Sequence, residues 1–576
     1  MSAPPPRRAV SREDWADFLT SRRIGYFSME IALKPEIPTY SGGLGVLAGD
    51  TLRSAADLRI PLVAVTLVSR KGYFRQEIDP QGRQIEHPDP WDPARYADQL
   101  PAKIAVQIEG RDVWVGGWLY VLTGIDGGRE PIILLDTDLP ENRDDDRGIT
   151  DVLYGGDAEY RLMQEIVLGI GGVRMLDALG FRIAHYHLNE GHSALLTLQL
   201  LLRHAYPPED LRPGDPRYDV PRVRDMCHFT THTPVEAGHD RFPYELVHRV
   251  LGDIVDRDTL RHFAGQNELN TTRLALNLSE YVNGVAKRHA ETSRRLFPGY
   301  GVSAITNGIH PFTWAHAEIA ALYDRYVPGW CVEPELLMQA DRRVPGEELW
   351  EGHRRAKRAL IERIEAQCGV VFDLDVPLIG YGRRMTQYKR PELLFEDVAA
   401  LRAIAARHPF QIVLAGKAHP RDDSGKRAIE RLHRLARELA DSIPIAFLPN
   451  YGMDTALAMI AGSDVWLNTP LPPLEASGTS GMKAALNGVP NLSVLDGWWV
   501  EGHVEGVTGW AIGDGGPSGT ENDARSLYQK LDEVVLPLYA DTSAWIELML
   551  GVISRNASLF HSHRMMRRYA AEAYLR

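Results

Sequence analysis

Short apolar runs alternate along this chain with longer stretches whose apolar positions recur at helical spacing. The first pattern predicts buried strands and the second amphipathic helices. In the first half, runs at 24–27, 62–67, 132–135, 183–187 and 226–230 predict strands, and 106–122 predicts a hairpin-rich insertion. Residues 158–179 predict one long helix. In the second half, strands are expected at 376–381, 411–415, 444–448, 465–467 and 491–495. Helices are expected between them, at 391–407, 427–440, 453–461 and 482–486. Such alternation marks α/β domains built on doubly wound parallel sheets, whose ligands bind beyond the carboxyl ends of the strands.

The same pattern divides the chain. One Rossmann-like domain with insertions is expected over residues 11–306 and a second over 307–576. The change falls near 307–314 and is followed by a helical stretch at 347–367. Residues 1–10, rich in proline, read as a disordered tail. The segment 542–574 is helical by pattern and is expected to cross back over the cleft. Two Rossmann-like domains facing each other across a cleft define the GT-B architecture.

Composition narrows the partners. With 576 residues the chain can bury two large cores. Lys and Arg number 64 against 77 Asp and Glu, a net charge of −13 that argues against nucleic acid or an anionic membrane as a general partner. No apolar run approaches the length of a membrane span, and the first residues lack the apolar core of a signal peptide. Cys227, Cys331 and Cys368 are scattered. They fit no disulfide framework and no zinc site, and point to the cytoplasm. An anionic ligand therefore needs a local cationic pocket.

Two segments supply one. The stretch EASGTSGMK at 475–483 packs a carboxylate, three hydroxyls and a lysine around two glycines, where a helix starts. Backbone N–H groups at such a start favour phosphate. Thr479 and Lys483, four apart, share a helix face. The apolar neighbours Met482, Ala484, Ala485 and Leu486 place Lys483 near a packed interior, and Gly488 reads as the cap that ends the helix. A lysine shielded from water loses proton affinity and becomes a nucleophile for an aldehyde. The stretch GRRMTQYKR at 382–390 follows a strand and holds Arg383, Arg384, Lys389 and Arg390. Arg grips phosphate through paired donors and Lys adds a compact charge, although a solvated basic turn would read the same way in isolation.

Three further segments are weaker alone. The glycines of SGGLGVLAG at 41–49 let backbone N–H groups approach a phosphate, or simply make a tight turn. Around TTHTP at 230–234, His228, His232 and His239 invite a metal, but no cysteine or carboxylate set accompanies them at ligand spacing. ITNGIHPFTW at 305–314 and Asn450-Tyr451 also fall at element ends.

Taken together, these segments resemble the signatures of the α-glucan (glycogen, maltodextrin) phosphorylases, in the compact bacterial and archaeal form. The resemblance runs from about Tyr26 to the C-terminal helices. It implies the GT-B fold, pyridoxal 5′-phosphate held covalently by Lys483, and a homodimer. It implies retaining phosphorolysis of the terminal glucose of an α-1,4-glucan by inorganic phosphate, giving α-D-glucose 1-phosphate. Arg384 and Lys389 would hold the substrate phosphate. Arg383, where the family usually has lysine, would lie nearer the cofactor phosphate, with Gly478, Thr479, Ser480 and Tyr451 lining the cofactor site. Gly43, Leu44, Asn307, Glu475, Ser477 and Gly478 would contact the sugar, and the backbone carbonyl of His232 would face the reacting carbon. Ser480-Gly481 stands where animal enzymes carry Gly-Asn, and Glu190 where long-form enzymes carry aspartate. Proton donation by substrate phosphate explains why no glycosidase-like carboxylate pair is needed. Two other functions use some of the same residues: a nucleotide-sugar glycosyltransferase of GT-B architecture, and a non-catalytic glucan-binding protein. The first has no reason to keep a semi-buried lysine at 483, and intact chemistry at Arg384, Lys389 and Lys483 speaks against the second.

Overall fold

The computed structural model describes residues 10–235, 238–513 and 519–575. The tail expected over 1–10 lies, apart from Val10, outside the described residues. Among the described residues the fold is α/β, built on two large sheets.

The first sheet runs Ser303–Ala304, Tyr281–Gly284, Cys227–Thr230, His185–Asn189, Ile24–Ser28, Leu62–Leu67, Arg129–Asp136, Arg111–Thr123 and Asp98–Gln99. The first seven are mutually parallel, and Arg111–Thr123 and Asp98–Gln99 add antiparallel pairs at one edge. Ile104–Ile108 pairs with Arg111–Thr123, giving the hairpin expected there. The second sheet is wholly parallel and runs Ile445–Leu448, Gln411–Ala415, Leu378–Gly382, Val465–Asn468, Asn491–Val494, Gly509–Ile512. Numbered along the chain, its order is three, two, one, four, five, six, the doubly wound order. Its strands read as continuous apolar runs because both faces are covered, the usual condition of a parallel sheet. Residues 378–382 and 411–415 are buried throughout.

In each sheet the strand order reverses between the strand that comes first in sequence and the fourth parallel one. That crevice lies between Ser28 and Asn189 in the first sheet and between Gly382 and Asn468 in the second. The GRRMTQYKR turn leaves the strand Leu378–Gly382 directly into it.

Two expected helices come out differently. Residues 158–179 are helical throughout, but a π-type turn at Val167–Gly171 interrupts the α-helix. Residues 391–397 hold only a short 3₁₀ turn, Leu393–Phe395. Asp397 starts the helix Val398–Arg407 by accepting the Ala400 N–H at 2.9 Å, so the α-helix begins after the proline segment.

The last helices return to the first sheet. Met565, Met566, Tyr569 and Tyr574 belong to the same apolar core as Tyr26, Ala64 and Leu134. Burial of each such side chain contributes roughly 1.5–3 kcal/mol. Polar bonds fix the register: Tyr574 Oη lies 2.6 Å from His187 Nδ1, and Tyr569 Oη accepts from Asn283 Nδ2 at 3.0 Å. A hairpin from the first half, Arg75–Ile78 and Gln84–His87, reaches the second sheet, where Gln76 Nε2 donates to the Gly416 carbonyl at 2.8 Å. Among the described residues no helix is long and apolar enough to cross a membrane.

Candidate active site

The cations of the 382–390 turn do not act alike. Arg390 is turned into the protein: it donates to the carbonyls of Thr469 and Pro470 at 2.9 and 2.7 Å and pairs with Asp523 at 2.7 Å. Thr469 Oγ1 donates to the carbonyls of Lys389 and Arg390, both at 2.9 Å, and so pins the turn. Arg383 is buried; it donates to Asn468 Oδ1, to Glu475 Oε2 at 3.3 Å and to Ser480 Oγ at 3.4 Å. Lys389 also grips Glu475 Oε2. Arg384 is exposed, with Ser41 Oγ 3.4 Å from its Nη2. Tyr451 donates its hydroxyl to the Gly382 carbonyl at 3.1 Å, at the root of the turn.

Glu475 is therefore the centre of a buried ionic knot. Burial alone would raise its carboxyl; Lys389 and Arg383 outweigh that and hold it below the ordinary glutamate range. Its backbone N–H donates to Asp496 Oδ2 at 2.8 Å. Asp496 is pushed up to about 6 by burial, against the backbone N–H groups it accepts. The loop then bends at Gly478, φ +82°, a conformation that disfavours a side chain. Ser477 Oγ is buried without a hydrogen-bond partner among the described residues. Ser480 Oγ accepts from Trp466 Nε1 at 3.1 Å and from Arg383, which leaves its own proton to donate.

The helix Ser480–Leu486 follows, with Thr479 as its N-cap residue. The Lys483 N–H donates to the Thr479 carbonyl at 3.2 Å, so the two residues do lie one helical turn apart. Gly488, at φ +77°, takes the left-handed position just past the helix end. Lys483 is only 7% exposed. Its Nζ stands 3.6 Å from the centroid of the Trp314 ring. Burial lowers the amine to about 8; Asp50 opposes the shift and Arg53 adds to it.

The facing wall comes from the first half. Glu30 accepts the backbone N–H groups of Ser41 and Gly42 and the hydroxyls of Ser41 and Tyr154. The sequence reads 41–49 as a loop, but only Ser41 and Gly42 form one. From Gly43 the segment is the helix Gly43–Asp57, with Gly43 and Leu44 in its first turn. Gly45 is required by packing: a Cβ there would lie 2.7 Å from Glu30 Oε2 and from Tyr40 Cβ. This helix also carries Asp50, whose Oδ1 and Oδ2 accept the Trp314 indole N–H at 3.0 and 2.9 Å. Seven residues of α-helix, about 10 Å, therefore connect the start of the helix, next to the Arg384 contact, with the Lys483 surroundings.

His232 and Asn307 belong to other contacts. His232 Nε2 lies 2.6 Å from Asn189 Oδ1, and its backbone N–H donates to Glu190 Oε2 at 2.7 Å. Burial holds its imidazole down to about 3, so it is neutral near pH 7 and donates through Nε2. Asn307 accepts from Arg564 Nη2 through its carbonyl at 2.9 Å, and its buried Oδ1 has no hydrogen-bond partner among the described residues. Of the other histidines, His228 faces His185 at 3.1 Å and His239 faces Thr272 at 2.8 Å. Among the described residues no group of three or more His, Cys, Asp or Glu side chains is placed to hold a metal.

The sequence reading missed Glu30, Asp50 and Asp496, and gave Trp314 no role. Asp50 carried a signal, a carboxylate in the otherwise uncharged run 43–52. Glu30 and Asp496 carried none, since the backbone N–H groups, and for Glu30 the hydroxyls of Ser41 and Tyr154, are brought near by the fold.

Comparison with known proteins bears on this geometry. The carbohydrate phosphorylase family profile matches residues 235–506. A maltodextrin phosphorylase of Thermococcus litoralis is 41% identical, across 95% of this chain and 70% of that one. A glycogen phosphorylase of Aquifex aeolicus is 35% identical, across 96% of this chain and 86% of its own. A glycogen phosphorylase of Mycobacterium tuberculosis is 35% identical, across 96% and 70%.

Proposed function

The chain belongs to the carbohydrate phosphorylase family, and from that premise we propose how its residues divide the work of an α-glucan phosphorylase. The enzyme transfers the terminal glucose of a maltodextrin- or glycogen-type chain to inorganic phosphate, releasing α-D-glucose 1-phosphate with retained configuration. It acts in the cytoplasm as a homodimer. The observation that carries this reading is a buried lysine, Lys483, on the helix whose first residues Thr479 and Ser480 carry hydroxyls, with the Arg383 guanidinium 3.4 Å from Ser480 Oγ.

Pyridoxal 5′-phosphate fits these residues. Lys483 is shielded enough to react with an aldehyde. Ser480 retains a proton to donate, and Arg383 brings a buried positive charge next to it. Thr479, Gly478 and Tyr451 complete the lining. When bound, this group supplies a phosphate able to exchange a proton with the substrate phosphate.

The protein's own residues bind and orient. Arg384, exposed in the cleft, and Lys389 hold the substrate phosphate. Charge-assisted bonds of this kind contribute roughly 1.5–3 kcal/mol each, enough for two or three to bind orthophosphate. Lys389 already holds Glu475, so phosphate shares that lysine with a carboxylate that stays ionised at neutral pH. The unpartnered Ser477 Oγ and Asn307 Oδ1, with Glu475 and the backbone of Gly43, Leu44 and Gly478, take the glucosyl hydroxyls. His232, neutral and tied to Asn189, acts through its backbone carbonyl and not as an acid. Positioning and fixed charge supply most of the rate enhancement.

A division at 306/307 belongs to this reading. It is supported by the separate sheets, one ending at Ala304 and the other starting at Leu378, with the last helices crossing back. The test is direct: supply maltodextrin and orthophosphate without any nucleotide. Release of α-D-glucose 1-phosphate is expected. Glucan binding without sugar phosphate, or turnover that requires a nucleotide sugar, would overturn the proposal.

A further inference from the structure

We propose that Asp50 is a positioning residue for Lys483: its buried carboxylate, fixed by the indole N–H of Trp314, supplies the counter-charge that holds the amine across the indole face. The inference rests on the assignment of Lys483 as the anchoring amine. It adds a residue from the opposite wall that no motif contains.

Three separate elements meet here. Asp50 comes from the helix Gly43–Asp57, Trp314 from the short helix Pro311–Trp314, and Lys483 from Ser480–Leu486. Asp50 and Trp314 are each 1% exposed. The indole uses both its polar features. Its N–H edge donates to the two carboxylate oxygens at 3.0 and 2.9 Å, while its face takes the ammonium at 3.6 Å from the centroid. A ring hydrogen-bonded to an anion at its edge presents a more negative face to a cation. Indole, carboxylate and amine therefore form one polarised unit.

Its charge state follows from burial. Burial raises Asp50 to about 6, with Lys483 and Arg53 pulling it back. The carboxyl is thus ionised at neutral pH, where a fully uncompensated buried acid would not be. The same burial lowers the amine, and Asp50 is what opposes that fall. Arg53, 3.8 Å from Asp50 Oδ1, works against the amine from the same helix. Asp50 therefore sets how readily Lys483 gives up its proton, and a nucleophilic amine must first do so.

A purely architectural Asp50 would only accept the Trp314 hydrogen bond. Asp50→Asn separates the two duties, since it keeps an acceptor of the same shape and removes the charge. Asp50→Ser also removes the charge, with a shorter hydroxyl in place of the carboxylate. The full-length protein is freed of pyridoxal phosphate and then exposed to added pyridoxal phosphate across about pH 6 to 10, a range that brackets a lysine lowered by burial. Capture at Lys483 is trapped with borohydride and quantified by peptide mass. Removing the carboxylate should shift the midpoint of capture to lower pH by about one unit and speed capture near neutrality several-fold. An unmoved midpoint in the folded variants, whatever their melting temperature, overturns the inference. Failure of both variants to fold counts against it equally, because it gives Asp50 an electrostatic duty and not an architectural one. Absence of label at Lys483 in the unmodified chain is a different failure, and would strike the cofactor assignment itself.

Discussion

Arg384 and Ser41, 343 positions apart in the chain, meet with Nη2 3.4 Å from Oγ. The contact joins the basic turn after Leu378–Gly382 to the short loop that leads into the helix Gly43–Asp57, and a Cβ on Gly42 would lie 3.1 Å from the same guanidinium nitrogen. The two halves of the chain thus touch at Arg384, the residue proposed to hold phosphate.

Arg384→Ala should raise KM for orthophosphate by about 10- to 100-fold, the loss of one or two charge-assisted bonds of roughly 1.5–3 kcal/mol. KM for glucan should change much less. The check is initial-rate kinetics with each substrate varied. An unchanged phosphate dependence would remove Arg384 from the site.

Gly45→Ala should disturb the same wall from behind. The added methyl would lie 2.7 Å from Glu30 Oε2, and Glu30 holds the Ser41 and Gly42 N–H groups. Overpacking of this kind costs about 1–3 kcal/mol. Thermal unfolding should show the loss, with a drop in activity beyond what that loss explains. Full activity at undiminished stability would mean that Glu30 does not shape the turn.

Stability should fall as pH drops below neutral. Burial holds His192 and His289 at about 4 and His232 at about 3, all below the unfolded value. For a histidine depressed in this way the folded state binds fewer protons. Its contribution is intact above about pH 6.5 and is lost as pH falls towards the folded value. Each should cost about 2 kcal/mol by pH 5. Asp50 and Asp496, raised to about 6, act in the opposite sense. Their folded forms bind more protons, which returns roughly 1 kcal/mol each over the same interval. The histidines outweigh them, so the melting temperature should be lower at pH 5 than at pH 7. A flat or rising profile would contradict this balance.

Much of this site was legible because the relevant chemistry is local in sequence. The basic turn, the hydroxyl-rich loop and Lys483 each lie within a few residues of a strand or helix that hydrophobic pattern alone identifies. What pattern could not show was the sorting of like charges. Arg383, Arg384, Lys389 and Arg390 look equivalent in sequence, yet Arg390 is spent on Asp523 and backbone carbonyls, while Arg383 and Lys389 close on Glu475. That sorting depends on Thr469, Asn468 and Glu475, contributed by a strand end and loop more than 70 residues further along. The carboxylate of Asp50 stood out in sequence, but its partners did not, since they lie in two distant helices. The π turn at Val167–Gly171 escaped because helical periodicity continues through it.

The central claim is that Lys483 anchors the cofactor, and one measurement reaches it most directly. The purified protein is reduced with borohydride, digested, and the modified lysine located by mass spectrometry, with Lys483→Ala treated in parallel. The account predicts one pyridoxyl-phosphate label at Lys483, no label and no phosphorolysis in the variant, and an intact fold in both. A label on another lysine, or full phosphorolysis by Lys483→Ala, would contradict it.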